Sequence, residues 1–196
     1  MQARYVVLVF ALCAFPGLVE ASVISVTVTL SKDTVNIGET ATLTVFGQVK
    51  PAYAVAGNGI FGWDVDLRLS DPLVVELLPG TLDRTGWTRN ALTSSSGMVK
   101  SWGLDAIYDT GEDNSNLGVG SAVRLFSVQF TGLALGNATF TVEPDTITGA
   151  DFVTWFGNTG GDYSAASQVI TVVPEPGTLG LLGLGGLSLI IRCRRR

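Results

Sequence analysis

The chain has 196 residues with 12 basic and 17 acidic side chains, a net charge of −5, which allows one ordinary domain between short terminal segments. It has no histidine and two cysteines, Cys13 and Cys193, so Ser-His-Asp and Cys-His catalysis and histidine-ligated zinc are excluded. The acid excess argues against nucleic acid, whose binders need a basic footprint, and is compatible with cations or neutral glycans.

The N-terminus reads as an export signal. Met1 to Arg4 is positive, Tyr5 to Phe15 is apolar, and Val19-Glu20-Ala21 ends in a small residue of the kind a signal peptidase reads, so cleavage is expected after Ala21. The apolar run is about eleven residues, too short to span a bilayer. From Ser22 to Val173 seven basic residues face fifteen acidic ones, so the exported part is the acidic part, which favours solubility. With one cysteine in the leader and one in the tail, no disulfide staples the domain. Cys193 beside arginines is an incidental thiol or an acylation site.

From Ser22 onward the apolar period is two. Ile24, Val26, Val28 and Leu30 alternate with polar residues, Gly38-Glu39 turns the chain, and Ala41, Leu43 and Val45 alternate with Thr40, Thr42 and Thr44, the pattern of strands with one buried face. Lys50 to Gly59 is rich in turn residues. Phe61, Trp63, Val65, Leu67 and Leu69 form the strongest alternation and predict a central strand, which Asp71-Pro72 ends. Leu73 to Leu77 reads as a short strand stopped by Pro79-Gly80, and Thr81 to Gly97 as irregular.

Met98 to Leu104 is expected to be a strand, and Asp109 to Gly120 a polar, acidic loop. In Val123 to Thr131, Phe126, Val128 and Phe130 are expected inward, with Leu125, Ser127 and Gln129 outward. Gly132 to Gly136 is a connection, Asn137 to Val142 points Ala138, Phe140 and Val142 inward, and a last pair lies near Phe152 to Phe156 and Gln168 to Val173. Roughly eight strands and no amphipathic helix predict an all-β fold, an antiparallel β-sandwich over residues 22–172.

Three landmarks in order sharpen this expectation: Val35-x-x-Gly38-Glu39 before a threonine-rich strand; Gly62-Trp63-Asp64-Val65-Asp66-Leu67 before Asp71-Pro72; and Leu125-Phe126-Ser127-Val128-Gln129-Phe130 before Gly136-x-Ala138-x-Phe140. Together they resemble the cohesin-type module of the carbohydrate-binding superfamily over Val23 to Val142, and the resemblance implies a jelly-roll sandwich.

Three constellations are candidates for chemistry. The acidic loop offers Asp109, Asp113 and Asn114, with Glu112 and Asn116 nearby, as oxygen ligands for calcium; it lacks EF-hand spacing, so a solvated loop is the competing reading. Among the aromatics, Trp87, Trp155 and Tyr163 lie near Gly, Asn or Thr and can stack on sugar faces, whereas Trp63 shares the parity of a core strand. Asp64 and Asp66 fall on one strand face roughly 7 Å apart, a separation a glycosidase can use. An outward strand face supplies neither a cleft nor a raised pKa, so no catalytic residue is assigned. Asn137-Ala138-Thr139 matches a glycosylation sequon by pattern alone.

The chain ends in Val173-Pro174-Glu175-Pro176, an apolar run from Gly177 to Ile191, and a basic terminus of Arg192, Arg194, Arg195 and Arg196 around Cys193. The prolines separate the domain from the apolar run. Residues 177–191, as a transmembrane helix, would cover about 22 Å; the arginines extend that reach by snorkelling and hold this end in the cytoplasm. The three parts in this order resemble the PEP-CTERM sorting signal of exported Gram-negative proteins. The resemblance implies that an exosortase-type transpeptidase cuts at or near the Pro-Glu-Pro and releases or transfers the ectodomain. The expectation is therefore a non-enzymatic protein, exported, anchored in the inner membrane before processing, and then left in the envelope or outside the cell. Its ligand would be extracellular polysaccharide or, alternatively, an envelope protein bound in cohesin fashion; a glycosidase is the third reading.

Overall fold

The computed structural model describes residues 23–84, 87, 92–95, 100–107, 115–144, 152–154, 157, 166–175, 177 and 180. Eleven strands form within them: β1 Ile24–Leu30, β2 Thr34–Asn36, β3 Thr40–Val49, β4 Ile60–Leu69, β5 Val75–Asp83, β6 Leu92–Ser95, β7 Lys100–Ile107, β8 Val123–Gly132, β9 Gly136–Pro144, β10 Phe152–Thr154 and β11 Ala166–Val173. The expected leader and nearly all of the expected transmembrane helix lie outside the described residues. Among those described, no helix is long and apolar enough to cross a membrane.

Two sheets face each other. One runs β1-β3-β8-β5; the other runs β2-β11-β9-β4-β7-β6, with β10 also on β4. β4 is central, as its alternation predicts: β7 pairs with one edge, while β9 and β10 share the other. The pairing is antiparallel except between β2 and β11, which run parallel, so the sandwich is mixed where the sequence pattern suggested antiparallel throughout. A strand pattern reports which residues face inward and carries nothing about the direction of a neighbour.

The core is the set of inward residues from both sheets. Phe126, Phe130, Phe140 and Phe152 are fully buried, and Phe130 of one sheet meets Phe140 of the other with ring centroids 4.9 Å apart. Trp63 stacks on Phe126 at 5.5 Å and takes Trp87 edge-on at 6.0 Å. Such contacts add about 0.5–1.5 kcal/mol per pair to the burial of the rings.

Where the sequence pattern misplaces a side chain, a β-bulge is the cause. Val45 pairs with Phe126 and Phe46 with Arg124, which leaves Leu125 as an extra residue on β8. The bulge turns Leu125 inward beside Phe126, both at 0% exposure, although simple alternation puts it outside. Gly47 makes the room, since a Cβ there would lie 3.2 Å from a Leu125 methyl. At the start of β4, Thr154 pairs with Ile60 and Val153 with Gly62; Ile60 and Trp63, three apart, are therefore both buried and Phe61 is only partly so.

The Pro79-Gly80 stop predicted after Leu77 is also a bulge, and β5 continues to Asp83. Leu78 pairs with Gln129 and Asp83 with Ser127. The Thr81 hydroxyl closes the gap by donating to the Leu78 carbonyl at 2.7 Å and accepting from the Gln129 N–H at 2.8 Å. The stretch expected to be irregular thus contributes the end of β5 and all of β6.

At the far end of the sandwich the loop after β3 is zipped onto residues 115–118. Gly59 N–H donates to Ser115 O at 2.6 Å and Ile60 N–H to Leu117 O at 2.8 Å. A Cβ on Gly59 would meet the Leu117 nitrogen at 2.4 Å, so only glycine permits this approach.

Leu125→Ala is expected to destabilise the fold by about 2–5 kcal/mol, as for other buried leucines. Gln129→Ala, on the same strand and exposed, is expected to stay within about 0.5 kcal/mol. Urea unfolding midpoints of the two variants check the bulge directly.

Candidate functional site

The turn between β2 and β3, Asn36-Ile37-Gly38-Glu39, joins the two sheets at one end of the sandwich. Glu39 N–H donates to Asn36 O at 3.0 Å, closing a four-residue turn. Gly38 takes φ of +79°, a conformation that costs other residues strain. From this turn Gly38 N–H donates to Gly132 O at 2.8 Å, on β8 in one sheet, and Ile37 N–H donates to Val173 O at 3.2 Å, on β11 in the other. A Cβ on Gly132 would lie 2.9 Å from Asn36 O and 2.9 Å from a Val172 methyl, so the two sheet ends can meet only over a glycine.

The Glu39 carboxylate locks the turn. It is paired with Lys32, and its other oxygen accepts from Asn36 N–H and Asn36 Nδ2–H, both at 2.8 Å. Lys32 first, then the Asn36 backbone N–H, stabilise the charged form and hold its pKa at about 2, below the usual 4.5, against a smaller opposing effect of desolvation.

The sorting motif starts where this construction ends. Val173 is the last strand residue, paired with Asn36 of β2. Pro174, half-buried, has no N–H and cannot extend the ladder. Glu175 is exposed, and with Gly177 it borders an open cleft of about 400 Å³ whose opposite wall is Asn36, Ile37, Gly38 and Glu39. Pro176, Arg192, Arg194, Arg195 and Arg196 lie outside the described residues.

The other candidates divide. Trp87, read from the sequence as a sugar-stacking ring, is only 7% exposed, packs on Trp63, and spends its indole N–H on Arg124 O at 3.1 Å. It is a core residue and offers no face to a ligand. Its irregular, polar neighbourhood in the chain gave no sign of this. Trp155, Tyr163, Asp109, Asp113 and Asn114 lie outside the described residues. Asn116 is described, and its side-chain oxygen accepts Gly57 N–H at 2.9 Å, tying the end of the acidic loop to the sandwich. Among the described residues no group of three acidic or cysteine side chains gathers that could hold a metal.

Asp66 is half-buried on β4, next to Gly103 of β7 and Glu143 of β9 in the ladder. Glu143 pairs with Arg68 at 3.0 Å. Asp66 and Arg68 thus share one strand face with Glu143 of β9, and the side chain of Asp64, the other half of the carboxylate pair read from the sequence, lies outside the described residues. What sequence reasoning missed was the turn at Asn36 to Glu39 as the partner of the tail; Gly38-Glu39 signalled a turn, but only the parallel β2–β11 pair brings it to Val173.

Residues 172–196 match the PEP-CTERM protein-sorting motif. The sandwich is similar to the type II cohesin dyad of the adaptor ScaA scaffoldin from Acetivibrio cellulolyticus, with 17% identity, 74% of this chain and 48% of that chain covered, and a TM-score of 0.50. It is also similar to a type II cohesin domain from the cellulosome of the same organism (16% identity, 75% and 94% covered, TM-score 0.49). A non-cellulosomal cohesin from the archaeon Archaeoglobus fulgidus aligns with 14% identity, 80% and 96% covered, and a TM-score of 0.45. No curated protein matches the chain.

Because the folded pKa of Glu39 is depressed, its contribution is fully present above about pH 4.5 and is lost as pH falls toward 2. The difference in thermal midpoint between the native protein and Glu39→Gln is expected to be largest above pH 4.5 and to shrink below it; a pH series of melts reads this. Gly132→Ala is expected to cost about 1–3 kcal/mol in urea unfolding, as an overpacked site does. The chain is thus an exported one that carries a PEP-CTERM sorting motif directly behind a β-sandwich of cohesin-like fold.

Proposed function

We propose that the protein is delivered across the inner membrane, held by its apolar tail, cut at or near Pro174-Glu175-Pro176 by an exosortase-type transpeptidase, and left outside the cytoplasm as a non-enzymatic binding module. The observation that carries this reading is the match of residues 172–196 to the sorting motif, beginning within two residues of the point where Pro174 ends the last strand. A folded module with a scissile segment at its border can be separated from its anchor without loss of any core strand.

For the module itself, docking to another protein is the reading the described surface favours. The outer face of β4 and β9 carries the Arg68–Glu143 pair with Asp66 beside it, a polar strand face with charges of both signs that suits a complementary partner. Polysaccharide binding is the second reading. It rests on Trp155 and Tyr163, since Trp87 is buried.

Two measurements test these proposals. Mass spectrometry of the mature protein should find a C-terminus near Pro174 to Gly177; a terminus at Arg196 would refute processing. The double variant Asp66→Lys, Arg68→Glu is expected to weaken a protein partner at least tenfold and leave glycan-array binding unchanged, whereas Trp155→Ala should do the reverse if sugar stacking is the activity.

A further inference from the structure

Among the described residues six large apolar side chains are exposed: Ile37, Val55, Leu73, Leu133, Leu135 and Val169. Four of them gather at the end of the sandwich from which the tail leaves. Ile37 bridges to Gly132 and donates its N–H to Val173 O. Leu133 follows Gly132, and its N–H and that of Ala134 both donate to Val74 O, at 2.8 and 3.3 Å. Leu73 precedes Val74. Leu135 precedes Gly136, which pairs with Val172 on β11 and sits against the Val74 methyls. Exposure across the set runs from 39% for Ile37 through 42% and 55% for Leu133 and Leu135 to 78% for Leu73, so each presents much of its side chain outward.

The chain itself says what lies opposite this rim. Val173 is fixed in the sheet, and the apolar run begins at Gly177. Four residues extend at most about 14 Å, and the polar layer on each side of a bilayer's hydrocarbon core is itself roughly 5–8 Å thick. As long as the tail is inserted, this end of the domain is held within about 6–9 Å of the head groups even with the linker fully extended. Apolar side chains that settle from there into the polar layer gain from leaving water, and a second weak contact added to an existing anchor is effective because the anchor already supplies proximity.

Resting on the anchored state proposed above, we propose that the rim of Ile37, Leu73, Leu133 and Leu135 is a membrane-contact surface that seats the sandwich on the bilayer while the protein awaits cleavage. The seat fixes the orientation of the domain, so that the cleft between Glu175 and the Asn36–Glu39 turn lies at the lipid surface where an integral-membrane enzyme works.

The test uses the full-length chain in liposomes, in a Cys13→Ser, Cys193→Ser background. Nitroxide labels are placed singly at Leu73→Cys, Leu133→Cys or Leu135→Cys, at Val55→Cys on the opposite end, and at Leu182→Cys in the tail. Collision with oxygen, which partitions into lipid, is compared with collision with a water-soluble nickel chelate. The rim labels should show a several-fold higher ratio of oxygen to nickel collisions than the label at position 55. A rim that matches position 55 while the label at 182 reports lipid overturns the membrane seat and leaves the sorting reading standing. A label at 182 in water overturns the anchored state and the seat with it. Shielding that needs a co-reconstituted exosortase assigns the rim to the enzyme and overturns the lipid assignment. A label at Ile37→Cys should lose its shielding when Leu73, Leu133 and Leu135 are all changed to Asp, with an unchanged urea midpoint; retained shielding would mean that the tether alone causes it.

Discussion

The architecture depends on the Asn36–Glu39 turn being shared by two sheets. Neither sheet owns it: one hydrogen bond goes to Gly132 on β8 and the other to Val173 on β11, and the close approach at Gly132 lets both form over the same few atoms. Because a sandwich gains most of its stability from the layer between its sheets, the sheets must be held in register at their ends for the phenylalanines between them to interlock. The carboxylate of Glu39 serves that register by satisfying the donors of Asn36 and the charge of Lys32 together.

The functional segment grows out of the same joint. Proline at 174 is the reason the ladder stops, and the joint is the reason it stops at a fixed place. A processing signal appended to a frayed strand would present a variable segment to an enzyme. Here the two residues before Pro174 are held in the sheet, Val172 between Val35 of β2 and Gly136 of β9, and Val173 against Asn36 of β2. The substrate segment and the fold therefore have a common boundary, and the exposed apolar side chains around it give that boundary a lipid-compatible surface.

Much of this was legible in the sequence because β-strands write their faces as alternation. The inward sets Ile24 and Val28, Leu43 and Val45, Trp63 to Leu69, and Ala138 to Val142 are where the pattern puts them. Alternation failed at Leu125, at Phe61 and past Pro79, each time because one strand holds more residues than its neighbour, a property of the pair that a single strand's pattern does not contain. Trp87 was misread because it is buried from a polar, irregular stretch through ring contacts with residues far off in the chain. The tail was the most legible part, since proline, apolar length and terminal arginines act locally; its attachment to the β2–β3 turn depends on a pairing across more than 130 residues and left no local trace.

The position of β11 between β2 and β9 also fixes how the molecule bears load. A pull applied to the chain at Pro174, where the tail leaves the domain, runs along β11. The ladder bonds to both neighbours lie across that direction, so the pull shears many of them at once instead of opening them one after another. Strands loaded in shear yield as a set, and the strand that leads to the sorting motif is therefore the one the fold grips from both sides.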